Sequence, residues 1–187
     1  MNEQLWWFVA RSSGIVSLLL AFAAVIWGLL LSGGYLERNP TKKWLLSVHR
    51  WLGGLTVAFT GVHLLGLWLD GFIDYGVFDL VVPLAGTKPP GAIPMAWGIV
   101  CGYLLLAVQL TSVMMRRMPR RWWRRIHLLS YLVLVTGIVH GITAGTDGSN
   151  IVLLGGVAAM SLTTVFLTTY RVLTRRPRRP RASAVVA

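Results

Sequence analysis

The sequence predicts an all-α integral membrane protein, a bundle of five transmembrane helices with the N-terminus outside and the C-terminus in the cytoplasm. Three observations carry this expectation. Of 187 residues, 55% are hydrophobic and 13% charged, with a mean hydropathy of +0.65, a balance typical of membrane chains. Five apolar segments, near 12–33, 44–69, 94–115, 123–143 and 151–173, each supply the roughly 20 residues that cross a bilayer core. The third observation is where the net charge of +12 lies. Arg38, Lys42, Lys43 and Arg50 surround the first connection, six arginines fall between Arg116 and Arg125, and six more run from Arg171 to Arg181. Only Arg11 and Lys88 fall on the other side, with Glu3, Asp70, Asp74, Asp79 and Asp147. Positive loops stay inside, so five spans close without contradiction.

The first span is flanked by Trp6 and Trp7 before it and Tyr35 after it, as interfacial anchors are. Its leading segment MNEQLWWFVA has no basic residue and no small-residue cleavage site follows, so a cleaved signal peptide is not expected. The connection GGYLERNPTKK is short and turn-rich, which predicts antiparallel packing of the first two spans. The longest connection, DGFIDYGVFDLVVPLAGTKPPGAIP, contains an apolar run, VFDLVVPL, too short to cross. That run is expected to lie on the bilayer or to cover the mouth of the bundle. The third span holds Cys101, the only cysteine, which excludes an internal disulfide, a thiolate zinc site and a ligated iron–sulfur cluster. Residues 1–173 are expected to form the membrane domain, and 174–187 a basic, disordered cytoplasmic tail meeting anionic lipid. Membrane topology accounts for the basic runs, so no nucleic-acid partner is expected.

No GxGxxG motif is present, and outside the spans no stretch is long enough for a nucleotide-binding fold. Flavin or NAD(P)H chemistry is therefore expected from another polypeptide. What the spans do contain is histidine. All four histidines lie in two spans: His49 and His63, fourteen apart in the second, and His127 and His140, thirteen apart in the fourth. Ionisable groups in hydrocarbon are costly and mark function. At about 1.5 Å per residue each pair spans roughly 20 Å, two-thirds of the bilayer core. By the charge topology His49 and His127 share the inner level, and His63 and His140 the outer one.

Two imidazoles at each of two levels suit axial ligation of iron in two flat porphyrins, an arrangement that favours electron transfer over ligand chemistry. Zinc would need three or four donors converging on one point, and no Asp or Glu lies within a span to complete a proton relay. One number strains the pairing. Fourteen residues return to within ~40° of the starting face, but thirteen leave His140 roughly 140° from His127 on an ideal helix. Either the outer haem is approached from a rotated direction or the fourth span is distorted, with Gly137 a place where a kink or bulge would fit. Gly53, Gly54, Gly61, Gly137 and Gly141 near the histidines would allow close helix approach or room for a porphyrin face. Arg50 and Arg124 or Arg125 are candidate partners for inner haem propionates, and Lys88 or Tyr75 for outer ones. Trp51, Phe59 and Tyr131 are candidate porphyrin-edge residues.

The segments HRWLGGLTVAFTGVH and HLLSYLVLVTGIVH, with the opening LWWFVARSSGIVSLLLAFAAVIWG, resemble the ferric-reductase-like transmembrane domain. That superfamily includes the membrane part of NADPH oxidases, metalloreductases and the haem subunit of bacterial methionine sulfoxide reductase systems. The resemblance covers residues 5–145. It implies that His49 and His127 ligate an inner haem b and His63 and His140 an outer one. It further implies a multi-pass protein of the bacterial inner membrane. Electrons would pass from a cytoplasmic flavoprotein or quinol to ferric iron, a flavin or a periplasmic reductase outside. The alternative is a non-redox membrane protein whose histidines serve ion movement or helix packing.

Overall fold

The computed structural model describes residues 3–33, 39–71, 73–145 and 148–174. The expected tail, 174–187, lies outside the described residues save for Thr174. Among the described residues seven α-helices run in order: α1 Glu3–Gly33, α2 Asn39–Leu69, α3 Val77–Val81, α4 Ala92–Val113, α5 Arg120–His127, α6 Ser130–Ala144 and α7 Ile151–Leu173. A 3₁₀ turn, Met115–Arg117, links α4 to α5. Among the described residues five helical stretches are long and apolar enough to cross a membrane: α1, α2, α4, α5–α6 taken together, and α7. No strand occurs among the described residues.

α1 and α2 pack along their whole length, as the short connection between them demands. Their seam is polar at its centre. Thr56 is fully buried, and the Ser17 hydroxyl meets Thr60 Oγ1 at 2.7 Å and the Thr56 carbonyl at 3.2 Å. Small hydroxyl residues let helices approach and supply bonds that lipid cannot. Near the C-terminal end of α2 a Cβ on Gly66 would stand 2.8 Å from the Ala10 nitrogen, so only a hydrogen there permits the observed approach. α4 and α6 form the second packed pair, with the Cys101 thiol donating to the Val133 carbonyl at 3.4 Å. α2 and the α5–α6 stretch, which carry the histidines, have no comparable mutual packing. α7 starts at Asn150, whose side-chain oxygen accepts from the amides of Val152 and Leu153 at 2.9 and 3.4 Å, satisfying orphan N–H groups of the first turn. It leans on α1 and buries no residue.

The fourth span is not one helix. α5 ends at His127 and α6 begins at Ser130. Leu128 and Leu129 have ψ of −19° and −13°, and the amides of Leu129 and Tyr131 reach back only three residues, to Ile126 and Leu128. This is 3₁₀ winding. It turns His127 relative to His140 in the direction that lessens the roughly 140° mismatch of an ideal helix, and both rings meet a partner on α2. The distortion expected at Gly137 is absent: α6 runs through it unbroken. Gly137 instead accommodates Leu18 and Cys101 at 3.3 and 3.4 Å from where its Cβ would stand.

Candidate functional site

Each histidine side chain is positioned by the helix packed beside its own. His49 Nδ1 donates to the Ala24 carbonyl at 3.0 Å, His63 Nδ1 to the Ala10 carbonyl at 2.6 Å, and His140 Nδ1 to the Pro94 carbonyl at 2.9 Å. A glycine follows four residues after each of those carbonyls: Gly28, Gly14 and Gly98. A Cβ on Gly28 would lie 3.3 Å from His49 Cε1, one on Gly14 2.9 Å from His63 Nδ1, and one on Gly98 2.7 Å from His140 Cε1. The reason is geometric. A helical side chain leans over the turn N-terminal to it and covers the carbonyl four residues back. Glycine leaves that carbonyl open, and an imidazole from the neighbouring helix lies in the opening.

The fourth position differs. His127 Nδ1 meets Ser112 Oγ at 3.2 Å, and that hydroxyl donates to the Val108 carbonyl at 2.7 Å. Ser112 thus stands where the other three have glycine, covers the carbonyl and passes its accepting capacity on. Trp123 stacks on the His127 ring, centroids 5.0 Å apart at 25°.

Carbonyl oxygens only accept, so Nδ1 carries the ring proton and Nε2 keeps its lone pair. Ser112, whose proton is already committed, fixes His127 the same way. Among the described residues no hydrogen bond reaches any of the four Nε2 atoms. The rings then meet in pairs. Taking as inner the end that bears Arg116–Arg125, His49 and His127 form an inner pair with ring centroids 5.9 Å apart, and His63 and His140 an outer pair 6.2 Å apart. Two metal–imidazole bonds of about 2 Å plus two ring radii of about 1 Å require roughly this separation. Among the described residues no cluster of three or more His, Cys, Asp or Glu side chains could hold a metal. Each pair offers two imidazole donors, fewer than a tetrahedral site needs and the number with which the iron of a haem could be held.

Other expected site residues are placed differently. Arg50 and Arg124 are exposed. Trp51 is 69% exposed, and the Tyr131 hydroxyl accepts from Thr168 of α7 at 3.3 Å. In the connection 70–91, Tyr75 is buried and donates to the Pro89 carbonyl, while Lys88 bonds the Asp74 carbonyl and lies 4.0 Å from its carboxylate. Burial, then the nearby carboxylates of Asp70 and Asp79, push the Tyr75 phenol above its ordinary pKa. Gly54, Gly61 and Gly141 have no heavy atom within 4 Å of where a Cβ would stand. The glycines that touch the rings are the unexpected ones, on α1 and α4. A signal for them was present. Gly14 and Gly28 are fourteen apart, like His49 and His63, and so are Gly98 and Ser112.

Comparison with known proteins identifies the family. Residues 13–138 match the family model described as ferric reductase like transmembrane component. Over 133 residues, 71% of this chain, the sequence is 30% identical to the protein-methionine-sulfoxide reductase heme-binding subunit MsrQ of Ralstonia nicotianae (strain ATCC BAA-1114 / GMI1000). The matched region spans 57% of that relative's length. No solved structure matches the chain. On the extent of the family match and on that relative, the chain is a multi-pass membrane protein and belongs to the ferric reductase like transmembrane component family.

Proposed function

We propose that the chain carries single electrons across the bacterial inner membrane through two b-type haems, an inner one on His49 and His127 and an outer one on His63 and His140. The observation that carries this reading is the common state of the four rings: Nδ1 engaged, Nε2 free, and ring pairs 5.9 and 6.2 Å apart. A hydrogen bond at Nδ1 fixes the tautomer and raises the basicity of the ligating nitrogen. Haem supplies one-electron chemistry, its iron cycling between ferric and ferrous states. The chain's part is to hold the imidazoles about 21 Å apart along α2 and to keep water and substrates from the axial positions.

The residues at the inner pair fit a cofactor with carboxylate side chains. Among the described residues Trp27 Nε1 and Trp123 Nε1 are buried without a partner. Trp27 adjoins Gly28 beneath the His49 ring, and Trp123 stacks on His127. An unsatisfied buried donor costs about 1–3 kcal/mol, and a haem propionate would remove that cost. Arg50 and Arg124, exposed beside the same pair, would add positive charge at longer range. Residues 1–173 form the haem domain in this reading, N-terminus outside, and 174–187 a basic cytoplasmic tail.

The relative is described as the heme-binding subunit of a protein-methionine-sulfoxide reductase, which supports haem binding and a reductase partner here. A cytoplasmic flavoprotein or a quinol would donate, and ferric iron, a flavin or a periplasmic reductase would accept outside. Purified protein tests the cofactor directly. Two haems b per chain in a dithionite-reduced spectrum support the reading, and a colourless, well-folded preparation would overturn it in favour of histidines that serve helix packing or ion movement.

A further inference from the structure

We propose that residues 76–84 form a re-entrant wall, dipping into the outer leaflet beside the outer histidine pair and facing lipid acyl chains. This goes beyond electron transfer and does not depend on the haem reading. α4, Ala92–Val113, has 22 residues, about 33 Å of helix, nearly all of it needed to cross a hydrocarbon core of roughly 30 Å. Arg116 and Arg117 follow at once and mark its inner boundary. Tyr103, eleven residues from Ala92 and ten from Val113, therefore lies near the bilayer midplane. Its hydroxyl donates to the Val81 carbonyl at the end of α3. A tyrosine side chain reaches little more than one helical turn, about 5.4 Å. Val81 thus sits well inside the hydrocarbon, near the level of Gly98 and the outer rings.

The surface of the segment agrees with that depth. Val77 is 61% exposed, Phe78 77%, Val81 42%, Val82 40% and Leu84 64%, while its other side packs on α2 and α4. Such an apolar patch in water would be an anomaly; against acyl chains it is the expected face. Several of its polar groups are satisfied internally, in the way hydrocarbon favours. The Asp79 carboxylate accepts from the Gly76 amide at 2.9 Å and turns toward Gly86. Val82 and Ala85 amides return to the carbonyls of Phe78 and Val82 at 2.9 and 3.3 Å. The Tyr103–Val81 bond satisfies both a mid-membrane hydroxyl and a helix-terminal carbonyl. The charged pair of the connection, Asp74 and Lys88, lies where the segment enters and leaves. The wall closes the side between α2 and α4, so an external reactant reaches the outer pair from above rather than through the bilayer.

The experiment uses nitroxide labels at Phe78→Cys and Val82→Cys in a Cys101→Ser background, in lipid nanodiscs, with oxygen and a water-soluble nickel chelate as relaxing agents. Labels at Leu162, 70% exposed on α7, and at exposed Thr87 give the lipid and water references. The expected result is oxygen accessibility matching Leu162 and nickel accessibility several-fold below Thr87. Nickel accessibility equal to Thr87 at both labels would place the segment in water and overturn the proposal. Adding Tyr103→Phe to the Phe78→Cys protein should raise nickel accessibility several-fold, and no change there would overturn the anchoring role of Tyr103. Haem content, read on the same samples, reports separately on the electron-transfer reading.

Discussion

The outer and inner ring pairs solve one packing problem in two ways. At the outer pair both imidazoles lie over glycine, Gly14 and Gly98, and both Nδ1 atoms bond main-chain carbonyls. At the inner pair His49 follows that pattern, but His127 bonds a side chain, Ser112, and carries a stacked indole, Trp123. The unpartnered indole N–H groups are at the inner end too. Main-chain carbonyls in a helix are rigid and cannot be removed by substitution, whereas a serine hydroxyl and two indoles can be exchanged. The outer site is therefore set by backbone and sterics, and the His127 half of the inner site by side chains. Substitutions at the two should fail differently.

The largest effect removes a ligand. His63→Ala and His140→Ala should each lower the haem content from two to one and abolish the same outer signal in a redox titration. His49→Ala and His127→Ala should each abolish the inner one. If His49→Ala and His63→Ala instead removed the same haem, pairing across helices would be wrong. The comparison also predicts neighbour effects: because each pair has its own holding residues, the surviving haem should keep its spectrum.

Next come the glycines. Gly98→Ala places a Cβ 2.7 Å from His140 Cε1 and 2.8 Å from its Nδ1, so the ring must move. Overpacking of this kind costs about 1–3 kcal/mol. The outer haem should be partly lost or show altered low-spin electron paramagnetic resonance, with the inner one unchanged. Gly14→Ala, with a closest approach of 2.9 Å, should act similarly on the outer haem. Gly28→Ala, at 3.3 Å from His49, should be milder, and Gly141→Ala, with no heavy atom within 4 Å, serves as the neutral control. An outer haem indifferent to Gly98→Ala would remove sterics from the account of that site.

A smaller effect is expected for Trp123→Phe, which keeps an aromatic ring against His127 and deletes only the indole N–H. A propionate that loses a donor holds its negative charge less well screened, and nearby negative charge favours ferric iron. The inner potential should fall by roughly 20–60 mV, the one-electron equivalent of a hydrogen bond of about 0.5–1.5 kcal/mol. The pH at which that potential begins to depend on proton uptake should rise, since the carboxylate is less stabilised. An unchanged potential together with a more stable protein would mean that the indole had no acceptor. Removing an orphan buried donor is neutral or stabilising.

How much of this was readable in the chain follows from which interactions are local. The five spans were legible because hydrophobic length and basic flanks are properties of contiguous residues, and α7 occupies the expected 151–173. The meeting of His49 with His127 and His63 with His140 was also legible, since depth along a helix is set by residue count. The break after His127 was not. It falls at Leu128 and Leu129, residues with no helix-breaking signature, and is revealed only by three-residue amide bonds. Nor were the ring-bearing glycines, because contact between Gly98 and His140 depends on how α4 and α6 are rotated, which no single segment encodes. The glycines nearest the histidines in sequence do not touch the rings; of these, Gly53 meets Gln109 on α4, with the amide oxygen 3.0 Å from where a Cβ would stand.

The finest test of the comparison is Ser112, the one exception among the four sockets. In Ser112→Ala the Cβ remains over the Val108 carbonyl, so His127 Nδ1 loses its acceptor and gains none. A less polarised imidazole donates less to ferric iron, and the inner potential should rise, by at most about 40 mV for a bond of about 1 kcal/mol. Ser112→Gly should behave oppositely to what its greater loss of atoms suggests. With no side chain at 112, the Val108 carbonyl opens as the carbonyls of Ala10, Ala24 and Pro94 do, and His127 can bond it directly. The glycine variant should therefore return the inner potential toward the wild-type value while the alanine variant does not. Equal shifts in both would show that the glycine sockets are a matter of packing alone, and that the carbonyl beneath each ring does not tune its ligand.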